Sequence, residues 1–278
     1  WGPAAPLNDP ATYPAGSEPV ATVRRVGDIN LVYVAWRRST DDRVVYMWVD
    51  ATGVLGGPAV GPATALTDAA PALASLPSVG ASDDLFLAWK QRRSAAVGIV
   101  RLDPAGGVAH WPTGFVTAAA PTMVGYSGAY SRRLYLFFPA AGGTADRVVY
   151  GSSADGTTWA GPNDLSSAVD VLTNVTDGTM RSADPVAAAV AGATAPRIHL
   201  LVRSTTYQWP TTHPDYPDLG AGGGYVFFLP LRETAAGSLG PGGTRTAPDA
   251  RPVPISVVPV DGGTPASAGA AMAGFGRT

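Results

Sequence analysis

The sequence contains no cysteine, which excludes disulfide bonds, a thiolate zinc site and a cysteine nucleophile. Charge is also scarce, because only 14% of the 278 residues are charged, with a formal net charge of -2. This balance provides no overall basic field for a nucleic acid or an anionic membrane, so neither is predicted as a partner. No apolar run reaches the roughly 18 residues of a membrane-spanning helix, and membrane insertion is therefore not predicted.

Glutamate and histidine are rare as well. Glu18 directly precedes a proline that opens a predicted strand, and Glu233 lies at the start of a Gly-rich insertion predicted over 232–263, so neither suits a catalytic base held in place by its surroundings. His110, His199 and His213 are too scattered for a metal triad, and His199 lies inside an apolar run that favours a core histidine. The sequence therefore predicts no metal site and no cofactor.

Glycine and proline are abundant, with 34 and 26 residues, and hydrophobic residues make up 46% of the chain. The hydrophobic content is ample for a buried core. The many turn-forming residues suit short strands joined by tight turns better than long helices. Composition thus favours an all-β protein.

The pentapeptide Asp-Arg-Val-Val-Tyr occurs twice, at 42–46 and at 146–150. Such an identity suggests two copies of one structural unit. Each copy follows an apolar run, and the four runs of this kind lie at 31–36, 85–89, 134–138 and 198–202. These runs are short, rich in β-branched and aromatic residues and bounded by Gly, Pro and Asp. They predict strands that are covered on both faces.

Further landmarks recur around the apolar runs. A proline opens a small-residue strand before each run, at Pro19, Pro71, Pro121 and Pro185. A turn with aspartate and glycine follows three of the runs, at Asp50, Asp103 and Asp155. A dipeptide ending in proline is expected to open the last strand of each unit, at 57–58, 111–112, 161–162 and 240–241. Each unit of about 50 residues then has four strands, as a propeller blade does.

The predicted fold is an all-β β-propeller in a single domain over 1–278, in preference to other repeated or sandwich β folds. Its units span 17–67, 68–117, 118–181 and 182–263. A fifth, irregular blade position is divided between 1–16 and 264–278, because the first segment resembles the end of a unit and the second resembles a proline-led first strand. A fragment of a longer propeller, a reduced last blade, or a replacement strand at 253–258 are the alternatives.

One turn carries a resemblance to a known family. The segment 153–159, Ser-Ala-Asp-Gly-Thr-Thr-Trp, resembles the Asp-box turn of the sialidase-like and lectin-like β-propellers. The Asp box reads Ser-x-Asp-x-Gly-x-Thr-Trp, and this chain is one residue shorter between Asp and Gly. The other units keep only an aspartate and a glycine. In that family the box is a structural turn, so the resemblance implies structural roles for Asp50, Asp103, Asp155 and Trp159, with the aspartates in Asx-type turns.

The same resemblance raises the question of glycoside hydrolysis. A sialidase needs an arginine cluster, a tyrosine nucleophile with a glutamate partner, and an acidic aspartate, and most other glycosidases need two carboxylates. The family's Arg-Ile-Pro motif is absent, and the nearest match, at 197–199, lacks the proline. An Asp-based hydrolase using Asp184, Asp215 or Asp218 remains an alternative to a protein without catalytic activity.

Aromatic and cationic residues follow the second predicted strands, where equivalent positions of successive blades share one face. Arg37, Lys90 and Arg203 are the cations, and Trp36 and Trp89 precede the first two. Sugars bind such surfaces by stacking on aromatic rings and by hydrogen bonds to polar groups. The alternative is that the tryptophans pack between blades and the cations are solvated strand ends.

The segment 207–218 breaks the repeat and concentrates polar and aromatic groups, which favours a binding role. Its candidate ligand-binding residues are Tyr207, Trp209, His213 and Tyr216. The alternative is an ordered Pro-rich loop that covers one end of the ring. The sequence thus predicts a lectin-like propeller, extracellular or at the cell surface, that binds a glycan or a protein surface. A scaffold or assembly domain of a larger protein is a further alternative, and the incomplete last blade also allows an oligomer.

Overall fold

The computed structural model describes residues 11–53, 55–102, 107–141, 147–165, 183–191, 196–204 and 225–242. Side chains at 55, 183–187, 191, 203–204 and 225–228 are outside that description. The regular elements within these ranges are fifteen β-strands, and no helix occurs among the described residues. The prediction of an all-β chain is therefore confirmed for this part of the protein.

The strands form four antiparallel sheets, and in each sheet the strands follow one another in chain order. Sheet 1 contains β1 Val20–Val26, β2 Ile29–Arg37, β3 Val44–Val49 and β4 Leu55–Val60. Sheet 2 contains β5 Ala72–Leu76, β6 Asp84–Lys90 and β7 Val97–Arg101. Sheet 3 contains β8 Thr122–Ser127, β9 Arg132–Pro139, β10 Val148–Ser153 and β11 Ala160–Asp164. Sheet 4 contains β12 Ala183–Ala191, β13 Arg197–Ser204, β14 Tyr225–Ala235 and β15 Ser238–Pro241.

The repeated pentapeptide marks equivalent strands, as predicted. Its Val-Val-Tyr portions begin β3 and β10, the third strands of sheets 1 and 3. In sheet 2 the corresponding strand is β7, which is also the third strand of its sheet. Val44, Val45, Val148 and Val149 are all buried, which explains why the apolar part of the pentapeptide recurs.

Sheet 2 departs from the predicted four strands. Its described residues contain three strands, and only an isolated bridge between Ile99 and His110 stands where a fourth would pair. Trp111-Pro112 was expected to open that strand, which is wrong. The Phe115 amide donates to the Pro112 carbonyl at 3.2 Å, and the Ala65 amide donates to Pro62 at 2.8 Å. Pro112 therefore corresponds to Pro62, in the link to the next sheet.

Sheet 4 also differs from the sequence-based boundaries. The predicted insertion beginning at Arg232 is wrong in its first residues, because β14 continues through Ala235 and pairs with β15. Gly240-Pro241 ends β15 instead of opening a strand. The large apolar side chains Leu229 and Leu231 hold β14 in the core, and this anchoring extends the strand past the point where polar residues begin.

The sheets pack face to face through their first strands, in the order β1, β5, β8, β12. Separate clusters of buried side chains fill the spaces between successive sheets. The first strands approach at backbone distance, since a Cβ atom at Gly125 in β8 would overlap the Ser75 carbonyl of β5. This close approach explains the small residues that the proline-led strands share.

The ends of the strands form two opposite sides of each sheet, which are called edges below and which make different contacts. At the hairpin edge, where first strands turn into second strands, Arg25 donates to the carbonyls of Ser78 and Gly80, both at 2.8 Å. Arg132 reaches the Pro77 carbonyl from the other side, and the Tyr126 hydroxyl donates to Pro196 at 3.2 Å. The opposite edge, where second strands end and links cross between sheets, is called the strand-exit edge below.

The links at the strand-exit edge repeat one hydrogen-bonding pattern. The amides of Ser39, Arg92 and Ala141 donate to the carbonyls of Pro14, Leu66 and Val116 at 2.9, 3.0 and 3.1 Å, respectively. The residue before each acceptor packs against an apolar cluster: Ala65 and Phe115 are buried, and Tyr13 is partly buried. Residues 13–15 thus contact sheet 1 in the way that the other two links contact sheets 2 and 3.

Candidate functional site

The predicted cations of sheets 1 and 2 lie in one neighbourhood, called the exit corner, formed by residues 37–43, 62–70 and 90–96. Asp42 stands at its centre in a left-handed backbone conformation with φ of 59°. Its carboxylate pairs with Arg37 Nη1 and with Arg92 Nη1, both at 2.6 Å. The Asp42 side chain is only 17% exposed, so the first residue of the repeated pentapeptide is largely covered and is not a solvated strand entrance.

Lys90 forms the second ion pair of the exit corner. Its Nζ lies 3.0 Å from both carboxylate oxygens of Asp68. The preceding residue, Thr67, holds this turn, because its hydroxyl accepts from the Ala69 amide at 3.1 Å. The Thr67 amide in turn donates to the Asp42 carbonyl at 2.9 Å. The two ion pairs are therefore joined through the link backbone.

A third ion pair lies on the outer side of the corner. Arg38 binds Asp41 through Nε at 2.9 Å and Nη2 at 2.5 Å. The hydrogen bond from Arg38 lowers the pKa of Asp41, with burial opposing it and the Arg43 amide adding to it. The Arg38 guanidinium also lies over the Tyr13 ring, 5.6 Å from its centroid. These contacts fix Arg38 between a carboxylate and an aromatic ring.

The two tryptophans beside these cations are packing residues. Trp36 is 5% exposed, and Trp89 is fully buried between sheets 1 and 2. Trp89 Nε1 donates to the Gln91 side chain at 3.2 Å. Neither ring offers a face to a sugar. Trp89 packs between sheets 1 and 2, as the alternative predicts, whereas Trp36 packs against Val45, Met47 and Tyr13 on the opposite face of sheet 1. Arg37 and Lys90 are largely covered and ion-paired, which also corrects the view of them as solvated strand ends.

Sheets 3 and 4 supply different groups at the same edge. Pro139 ends β9, and Arg147 pairs with Asp164 at 2.8 Å beside it. In sheet 4, Asp184 and Arg203 are direct backbone partners of β12 and β13. The structure thus brings a predicted cation and a predicted catalytic aspartate onto neighbouring strands. The other predicted residues, Tyr207, Trp209, His213, Asp215, Tyr216 and Asp218, lie outside the described residues.

The turn at 153–159 is structural. The Asp155 carboxylate accepts from the amides of Thr157 and Thr158 at 2.8 and 2.7 Å and from the Ser153 hydroxyl at 3.0 Å. Burial alone would raise the pKa of Asp155, but these donors outweigh burial and lower it far below its usual range. Trp159 Nε1 donates to the Gly156 carbonyl at 3.0 Å. The predicted Asx turn is therefore present at Asp155.

Asp50 forms a similar turn in sheet 1. One carboxylate oxygen accepts from the Thr52 amide at 2.9 Å and from the Thr52 hydroxyl at 2.7 Å. The structural role predicted for Asp50 is thus confirmed. Asp103 lies outside the described residues.

Sequence reasoning missed one buried polar cluster. Glu233 on β14 is 4% exposed, and its Oε1 accepts from the Tyr135 hydroxyl at 2.6 Å and the Gly237 amide at 3.1 Å. The Ser131 hydroxyl donates to the same oxygen. Burial, followed by the Glu233 hydrogen bond, raises the pKa of Tyr135. Because Tyr135 is fully buried, this tyrosine–glutamate pair ties sheet 3 to sheet 4 and offers no access to a substrate.

No group of three or more histidine, aspartate or glutamate side chains among the described residues is placed to hold a metal ion. His199 lies in β13, where burial, followed by the charge of Arg197, lowers its pKa. The His199 side chain is only partly buried, in contrast to its neighbours Ile198 and Leu200, so the core position that the sequence favours is not found.

Comparison with known proteins returns no matching family model and no matching curated sequence. Within the described ranges, no helix has the length and apolar character needed to cross a membrane.

Proposed function

We propose that this chain is a β-propeller that binds carbohydrate at its strand-exit edge and performs no chemistry. Its blades are the four sheets, which pack through their first strands in chain order with equivalent links between them. The fifth blade position at 1–16 and 264–278 belongs to the same proposal. A lectin-like protein of this kind acts outside the cell or at its surface, where it meets glycans.

The observation that carries the proposal is the exit corner. Asp42 and Asp68 hold Arg37, Arg92 and Lys90 in fixed positions, while the Arg92 side chain stays 56% exposed. Positioned donors bind hydroxyl groups with little loss of side-chain entropy. The buried tryptophans leave ring stacking to the segment 207–218, whose sequence supplies Tyr207, Trp209 and Tyr216 beside His213 and continues from the end of β13, where Arg203 lies.

A glycan array probed with the intact chain tests this proposal. We expect binding to a restricted set of glycans, and loss of that binding in Trp209→Ala and Tyr216→Ala. Tyr130→Ala is the matched control, because Tyr130 is 61% exposed on the hairpin edge and its loss leaves the strand-exit edge intact. An array without any bound glycan, or equal losses in Tyr216→Ala and Tyr130→Ala, would contradict carbohydrate binding at this edge.

A glycoside hydrolase is the second candidate, and the placement of Asp184 opposite Arg203 favours it. With Asp215 and Asp218 in the following segment, Asp184 would supply the second carboxylate that hydrolysis requires. Incubation of the chain with the glycans it binds, followed by mass spectrometry of the products, separates the two candidates. Cleavage that Asp184→Asn abolishes establishes the hydrolase, whereas glycans recovered intact establish binding without chemistry.

A further inference from the structure

The exit corner has a charge opposite to that of the chain as a whole. The complete sequence has a formal net charge of -2. Within residues 37–43, 62–70 and 90–96 the cations outnumber the carboxylates two to one: Arg37, Arg38, Arg43, Lys90, Arg92 and Arg93 face Asp41, Asp42 and Asp68. Positive charge is thus concentrated at one edge of two neighbouring sheets, although the overall composition shows no basic character.

The ion pairs of the corner position its cations without neutralising them all. Asp42 is shared between two arginines, so one carboxylate serves two guanidinium groups. Arg93 is exposed and forms no ion pair with any described residue. The Nε–H groups of Arg37 and Arg43 are buried without a hydrogen-bond acceptor in the described part of the chain. Donors therefore exceed acceptors in this corner, which leaves an uncompensated positive potential.

The positions of the cations also indicate the length of ligand that fits the exit corner. Arg38 and Arg43 belong to sheet 1, whereas Lys90, Arg92 and Arg93 belong to sheet 2. The Arg92–Asp42 pair connects the two sheets at the surface, and more than half of the Arg92 side chain remains open to solvent. A ligand with a single anionic group would meet only part of this surface, while a chain with repeated anionic groups can cross both sheets.

We propose that the glycan recognised by the exit corner is an acidic oligosaccharide that carries repeated sulfate or carboxylate groups. This inference rests on the proposed carbohydrate binding and specifies its ligand class. Arg92 and Arg93 contact the anionic groups, while Asp42 is a positioning residue that holds Arg37 and Arg92. Binding weakens as ionic strength rises, because solvent-exposed charges are screened beyond about 8 Å at physiological salt.

The test compares three hexasaccharides by calorimetry at low and at physiological salt: a heparin-derived sulfated one, an oligogalacturonate and a neutral cello-oligosaccharide. We expect the charged probes to bind about tenfold more tightly than the neutral one, which corresponds to one charge-assisted hydrogen bond. The sulfated and carboxylated arms identify which anion is preferred. Polyglutamate of similar charge is included to separate an acidic glycan from any polyanion.

Arg92→Gln and Arg101→Gln form a matched pair for this test. Both arginines are in sheet 2, both pair with an aspartate, and they are 56% and 54% exposed on opposite edges. Arg92→Gln is expected to weaken acidic binding about tenfold and neutral binding by less, while Arg101→Gln leaves both unchanged. Arg93→Gln provides a second variant if thermal unfolding shows that Arg92→Gln is unstable, because Arg93 contributes no ion pair within the described part of the fold.

Each outcome has a separate consequence. Equal or tighter binding of the neutral hexasaccharide contradicts the acidic ligand and leaves carbohydrate binding intact. Unchanged acidic binding in both Arg92→Gln and Arg93→Gln places the ligand elsewhere and overturns the inference. Binding of polyglutamate as strong as that of the acidic sugars, with no neutral sugar bound, would contradict carbohydrate recognition while retaining the anionic surface. An absence of binding to every probe contradicts the acidic ligand, and it contradicts carbohydrate binding as well only if the glycan array also shows no bound glycan.

Discussion

At the scale of single residues, one turn position shows how equivalent sites of two units differ in their stabilising contacts. Asp42 and Ala95 occupy equivalent places in sheets 1 and 2, and both have a positive φ, of 59° and 57°. Their amides donate to Arg38 and Gln91 in the same way, each at 3.0 Å. Asp42 offsets the cost of its backbone with two ion pairs. Ala95 has no such compensation, because its methyl group forms no polar contact.

Ala95→Gly is therefore expected to stabilise the protein by about 0.5–1 kcal/mol, since glycine adopts a positive φ without the steric cost of a Cβ atom. Urea unfolding followed by tryptophan fluorescence measures the change. Ala81→Gly is the control, an exposed loop alanine outside the positive-φ region, and should lower stability slightly. A destabilised Ala95→Gly variant would show that the left-handed turn is not strained.

The Asp155 turn predicts a defined pH dependence. Its carboxylate has a lowered pKa in the folded state, so its stabilisation is complete above the unfolded pKa of about 3.9 and is lost as pH falls towards the folded value. Asp155→Ala should cost about 1–2 kcal/mol at pH 7, as lost caps of this type do. The difference from the wild type should stay constant from about pH 8 to 5 and shrink below about pH 4. A constant difference down to pH 2 in urea titrations would contradict this role.

At the scale of elements, Glu233 connects strands that are distant in the sequence. It joins β14 to Tyr135 in β9 and to Ser131 in the preceding turn. All three donors use Oε1, while Oε2 is buried without a partner among the described residues. A single acceptor oxygen therefore accepts all three hydrogen bonds, and the second oxygen and the negative charge of the carboxylate are not required for them.

Glu233→Gln should retain stability within about 1 kcal/mol or increase it, since the amide oxygen accepts the same bonds without a buried charge. Glu233→Ala should cost about 2–3 kcal/mol, because it leaves the Tyr135 hydroxyl and the Gly237 amide unpaired. Differential scanning calorimetry of the two variants measures these effects. A Gln variant as unstable as the Ala variant would mean that the charge itself is required.

The approach of β8 to β5 leads to a prediction for Gly125. An alanine there would force its Cβ against the Ser75 carbonyl, which belongs to the backbone and cannot turn away. Gly125→Ala should therefore destabilise the protein by about 2–3 kcal/mol or more, as overpacked core positions do. Gly80→Ala is the control, because its Cβ would lie 3.4 Å from the Ser78 hydroxyl, an ordinary contact. Similar stability of the two variants would show that sheets 2 and 3 separate easily.

At the scale of the whole molecule, the repeat unit could be predicted from the sequence, but the side-chain contacts between different units could not. The strands β2, β6, β9 and β13 coincide with the apolar runs of the sequence. The predicted coverage on both faces is confirmed for β6 and β9 and is wrong for β2, where Ile29 and Val32 are exposed. The Arg92–Asp42 and Tyr135–Glu233 contacts have no such signal, since they join residues of different units. The boundaries also failed at Pro112 and Arg232, where the pairing of distant strands decides which residues belong to the sheet.

The residues that the three links pack against the apolar clusters differ greatly in size. Tyr13, Ala65 and Phe115 occupy equivalent places, where Ala65 and Phe115 are buried and Tyr13 is partly buried. A chain with two units exchanged would face a void where phenylalanine is replaced by alanine and a clash in the reverse case. The side chain that each link packs against its sheet therefore differs in size, so one link does not fit the position of another. A chain whose units are joined in another order is therefore expected to be less stable than this one.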